Sequence, residues 1–196
     1  MSLLPRNARR ILPLCLIGVT LSVSPRLSRA QASDNTMTAA EIEKVREAAY
    51  VPTDRIEVFI KILDSRAKSI DGLLSGRRKP GREQDLHDLF DQVSAIADEL
   101  NDNLDDYAPK HRDLRKVLPK LLEATERWAT SLRAAPDDPA YKVVRKIAVD
   151  AVLDVHEAAA TLQTDQVAYF KAHPEAAKAE KDRQNPGEPK PIEIPR

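Results

Sequence analysis

The sequence predicts an all-α fold: an antiparallel four-helix bundle with a short N-terminal helix, preceded by a signal peptide and followed by a disordered Pro-rich tail. Three observations carry this. Apolar residues recur three and four apart over long stretches, the period of one helix face. Gly is scarce, at five in 196 residues, and β-branched runs are few. Prolines at 52, 109, 136, 139 and 174 punctuate the periodic stretches.

Residues 1–32 read as a secretory signal peptide. Arg6, Arg9 and Arg10 form a basic start, and Ile11 to Ser24 an apolar run too short to span a bilayer comfortably. Ala30-Gln31-Ala32 supplies the small-x-small pattern for cleavage after Ala32. The expected location is therefore the periplasm or the exterior, with membrane contact only through the signal before cleavage. Cleavage removes five arginines and the only cysteine, Cys15, leaving 26 basic against 31 acidic side chains. That balance offers no positive field for nucleic acid, and no thiol for a disulfide, a nucleophile or a zinc ligand.

Residues 33–172 form the expected helical domain. Thr38 and Glu41 have capping-box spacing, and open a short helix with Ile42, Val45 and Ala49 inward. The next helix starts at Pro52, which needs no N–H there, and runs to about Ser75 with Ile56, Phe59, Ile60, Leu63, Ala67, Ile70, Leu73 and Leu74 inward. Gly76 ends it as a residue free to turn left-handed. A basic link, 77–82, leads to the central helix from Arg82 to Tyr107. There Leu86, Val93, Leu100 and Tyr107 recur every seven residues, with Leu89, Phe90, Ile96, Ala97 and Leu104 between them.

A fourth helix is expected over 110–133, kinked at Pro119, with Leu114, Val117, Leu118, Leu121, Leu122, Thr125, Trp128 and Leu132 inward. Asp138 and Pro139 then read as a cap and a first helical position. They begin a last helix to about Ala172, with Tyr141, Val144, Ala148, Ala151, Val155, Ala158, Leu162 and Tyr169 inward. Residues 173–196 read as a charged flexible tail ending in a Pro-rich stretch. Short links favour antiparallel neighbours; two stacked helical hairpins are the alternative.

The central helix is the chemically distinctive element. It carries nine carboxylates and no Lys or Arg between Glu83 and Pro109. Asp88, Asp91, Asp98, Asp102 and Asp105 make a ridge, with Glu99 and Asp106 beside it. Like charges one turn apart repel, and Asp105 and Asp106 meet the negative end of the helix dipole. Salt bridges to Arg55, Lys61, Arg66 and Lys68, and to Lys110, Arg112, Arg115 and Lys116, are expected to offset this. An envelope protein bound through Asp91, Asp98, Asp102 and Asp105 is the functional use, and a homo-oligomer fits the same reading.

A divalent cation on Asp98, Asp102, Asp105 and Asp106, or at His87 with Asp91 or Glu83, is the competing use. The stretch lacks an Asp-x-Asp-x-Asp-Gly loop, and a straight helix does not wrap an ion, so no metal is expected. A cofactor-carrying periplasmic four-helix bundle is the alternative function. It would draw on His156, which flanks the last inner stripe, but a haem needs a second axial ligand and the only methionine outside the signal is Met37. No cofactor is expected. No Gly-x-Ser-x-Gly, phosphate-cradling loop or Glu-x-x-His pair is present, so the expectation is a non-enzymatic binding or interaction module.

Overall fold

A computed structural model describes residues 36–184, so the expected signal peptide and cleavage site, and residues 185–196, lie outside the described residues. Among the described residues the chain is all-helical, with no strand. The elements are α1 (Ala39–Glu47), a 3-10 turn (Ala48–Tyr50), α2 (Pro52–Ser75), α3 (Arg82–Tyr107), α4 (Leu118–Ala134), α5 (Lys142–Ala172) and α6 (Pro174–Gln184). Among them no helix is long and apolar enough to cross a membrane.

The capping box at α1 is formed. Thr38 Oγ1 accepts from the Glu41 N–H at 3.2 Å, and Glu41 Oε2 accepts from the Thr38 N–H at 2.8 Å. Of its expected inner residues only Val45 is buried; Ile42 and Ala49 are exposed. What pins so short a helix is polar. Arg66 of α2 donates from Nη1 and Nη2 to the Glu41 carboxylate, at 2.9 and 2.7 Å.

In α2 the buried stripe is Pro52, Ile56, Phe59, Ile62, Leu63, Ala67 and Ile70. Ile60, Leu73 and Leu74 are partly buried. Gly76 does not turn left-handed, for its φ is −74° and its ψ 164°. A Cβ there would meet the Gly72 carbonyl oxygen at 2.8 Å, so close approach, not handedness, calls for glycine. The left-handed position is Gly81, with φ 87°, at the N-cap of α3. Helix α3 has the expected bounds and buries its heptad residues Leu86, Val93, Leu100 and Tyr107, with Phe90, Ile96, Ala97 and Leu104.

The expected kink at Pro119 is absent. Helix α4 begins at Leu118, so Pro119 sits in its first turn, where no helical hydrogen bond is lost. Residues 108–117 are a ten-residue connector. Leu114 and Val117 are buried in it at 0 % and 1 % exposure, which explains why the apolar spacing continued through a non-helical segment. Two features hold it. The buried Gln166 of α5 accepts from the Leu114 N–H at 2.9 Å and donates to the Arg112 carbonyl at 2.7 Å. His111, with φ 48°, stacks on Tyr169 at 3.7 Å between ring centroids. Helix α5 starts three residues later than Pro139. Asp138 instead closes a turn, its Oδ1 accepting from the Ala140 N–H at 2.9 Å and its carbonyl from the Lys142 N–H.

The helix pairing is set by named contacts. Arg78–Glu83 and Arg55–Glu99 run in opposite sense, so α2 and α3 form an antiparallel hairpin. Thr125 with His156, and the connector with Gln166, make α4 and α5 a second one. Between hairpins the order is parallel. Glu57 meets Lys120, Asp64 meets Arg127 and Trp128, and Asp71 meets Ser131, joining α2 to α4. Phe90 meets Tyr141 at 5.5 Å between centroids, and α3 packs along α5 as the most extensive helix pair. An arrangement in which every neighbour is antiparallel therefore does not hold. The connector 108–117 carries the chain across from one hairpin to the other, because ten residues reach where four would not.

Residues 173–184 also differ from a flexible tail. Pro174–Gln184 is helical, and Glu180 is only 2 % exposed, tied to Arg112 Nε at 2.6 Å.

Candidate functional site: an acidic groove between α3 and α5

Parallel packing of α3 on α5 puts two acidic faces side by side. The groove between their C-terminal halves has a volume of about 350 Å³. Its rim carries Asp105 from α3 and Asp154, Glu157 and Asp165 from α5; Leu104, Ala108, Ala158 and Leu162 form an apolar floor. Asp98 and Asp102 continue the row upstream. Partial burial, then the charges of Asp102 and Asp154, raise the Asp98 carboxyl above its ordinary value.

The expected neutralisation is largely missing. Of the eight basic residues, only Arg55 and Lys110 reach the acidic helix. Arg55 Nη2 lies 3.9 Å from Glu99, and Lys110 pairs with Asp106. Arg66 is taken by Glu41, Arg112 by Glu180 and Arg115 by Asp113. The reason is positional: the ridge faces α5, whose adjoining side chains are themselves acidic. Asp91, Asp98, Asp102, Asp105, Asp154, Glu157 and Asp165 form no ion pair among the described residues.

Three of the four residues singled out for partner binding, Asp98, Asp102 and Asp105, belong to this row. Asp91 is exposed about two turns before Asp98. Asp154, Glu157 and Asp165 were not foreseen, although positions 154, 157, 161 and 165 share one helix face and the signal was in the sequence.

The metal candidates are not assembled. Among the described residues no three His, Cys, Asp or Glu side chains are placed to hold an ion. His87 Nδ1 lies 3.4 Å from its neighbour Asp88, and Asp106 is held by Lys110. His156 Nδ1 is 2.8 Å from Thr125 Oγ1. That hydroxyl donates to the Leu122 carbonyl, so it accepts from the ring, and Nδ1 carries the proton. The imidazole thus supports α5 on α4.

A larger cleft, about 800 Å³, lies where α6 passes the start of α2. Its charges are mixed: Lys116, Lys178 and Lys181 stand with Asp54 and with Asp113, which already holds Arg115 at 2.7 Å. The α3–α5 groove has one sign of charge over an apolar floor, the more selective chemistry. No family model, curated protein or solved structure matches the chain.

Proposed function

We propose that the protein is an exported, non-enzymatic binding module. In this reading a helical domain released by cleavage after Ala32 works in the periplasm or outside the cell. Its two hairpins act together as a four-helix unit whose α3–α5 groove takes a basic amphipathic segment of an envelope protein. One observation carries this: carboxylates from two helices surround an apolar floor, and among the described residues those carboxylates form no ion pair. A Lys- or Arg-bearing helix that lays apolar side chains on Leu104 and Leu162 would meet both requirements. The carboxylates are exposed and solvated, which suits charge recognition and not the desolvated acid–base work of a catalyst.

The test is titration of a fluorescent amphipathic Lys/Leu peptide into the purified protein. Binding should weaken steeply as salt is raised, because exposed charges are screened over about 8 Å at physiological ionic strength. Reversal at Asp105, Glu157 and Asp165 to Lys should abolish it. Unchanged affinity in that triple variant would sink the reading.

A further inference from the structure

We infer that the groove's partner includes a second copy of this chain, docked by the N-terminal part of α5. This rests on the proposed binding role of the groove and names its occupant. The first turns of α5 expose Val143 and Ile147, at 70 % and 51 %, one turn apart on one helix face. Lys142, Lys146 and Arg133 flank them. Two exposed apolar residues bordered by cations, on a helix, are the chemistry the acidic groove recognises. The chain therefore carries both halves of one contact.

A single molecule cannot bring the halves together. The basic face lies on α5, an unbroken helix from Lys142 to Ala172 that also forms one wall of the groove. Ile147 and Glu157 are ten residues apart, about 15 Å along a rigid axis. Only another copy can place Val143 and Ile147 on the floor formed by Leu104 and Leu162. The cations are available for exchange. Lys142 is 3.6 Å from Asp137 and Lys146 pairs with Asp150, both exposed pairs of the kind that contribute little. Arg133 forms no ion pair among the described residues. Arg145, bound to Asp137 and to the Ala135 carbonyl, stays with its own turn.

Sedimentation velocity of the purified protein tests this, with two charge-reversal variants, Lys142→Glu/Lys146→Glu and Glu157→Lys/Asp165→Lys. All four positions are exposed, so folding is retained, and circular dichroism checks it. The expected mass at low salt is at least that of two chains, falling to one at high salt. Each variant alone should sediment as one chain. An equimolar mixture of the two should associate again, because one partner keeps an intact groove and the other an intact basic face. A wild-type protein that stays a single chain at low salt and high concentration overturns the inference, as does a mixture that fails to associate. The Lys/Leu peptide separates the two readings. Peptide binding without self-association defeats the second copy alone, and loss of both defeats the groove.

Discussion

Glu180, in the second half of α6, lies 2.6 Å from Arg112 Nε and is 2 % exposed. The pair joins residues 68 positions apart and ties the C-terminal helix to the connector between α3 and α4. Arg183 adds a second contact to the same carboxylate at 3.1 Å. Glu180→Ala removes hydrogen bonds to charged groups, each worth about 2 kcal/mol. Because α6 has few other contacts, the cost should fall locally. Amide exchange over 174–184 should accelerate at least tenfold while the global unfolding midpoint moves little. Unchanged protection of α6 would mean that the pair does not dock it.

Gln166 is the buried polar side chain on which the connector depends. Gln166→Leu conserves volume but strips the Leu114 N–H and the Arg112 carbonyl of their partners. Leaving such groups unsatisfied costs about 1–3 kcal/mol each. Urea denaturation should register a loss of about 2–4 kcal/mol, against near neutrality if water replaced the amide.

The three glycines around the first hairpin should respond differently to alanine. At Gly72, inside α2, a Cβ meets nothing within 4 Å, so Gly72→Ala should stabilise by about 0.5 kcal/mol through helix propensity. At Gly76 the Cβ meets a backbone oxygen at 2.8 Å, and at Gly81 φ is 87°. Both substitutions should destabilise by about 1 kcal/mol or more. Thermal melts of the three variants decide this, and a shared sign for all three would contradict it.

Two carboxylates should give opposite pH responses. Burial pushes Glu41 up, but hydrogen bonds and charge from Arg66, with bonds from Thr38, leave its pKa lowered. Its contribution is present above its unfolded value, 4.5, and is lost as pH falls through the folded one. The Asp98 pKa is raised, so its ionised form is a liability above 3.8 that protonation relieves. Glu41→Gln should lower the melting temperature at about pH 7 and converge on wild type in acid. Asp98→Asn should raise it at about pH 7, with a gain that also vanishes in acid. Relief of one like-charged pair one turn apart is worth about 0.3 kcal/mol.

Much of the fold was legible in the amino-acid sequence. The heptad Leu86, Val93, Leu100 and Tyr107 marked α3 to its ends, Pro52 marked the start of α2, and Thr38 with Glu41 marked the cap of α1. These are local properties: helix period, proline geometry and the free N–H groups of a first turn act over a few residues. The run of aspartates in α3 was equally plain.

The structure decided what depends on long-range packing. Leu114, Val117 and Leu118 are apolar whether they lie on a helix or in a buried turn, so periodicity alone misplaced the start of α4. Glu180 looked like a solvated tail residue because its partner Arg112 is remote in sequence. Most of all, the register of one hairpin on the other determined which side chains meet the acidic ridge. Arg66, Arg112 and Arg115 bind elsewhere, and Asp154, Glu157 and Asp165 line the groove beside the ridge instead. A single helix face is written in its own sequence, but which two faces come together is set by how the whole apolar surface is buried. The groove exists only at that level.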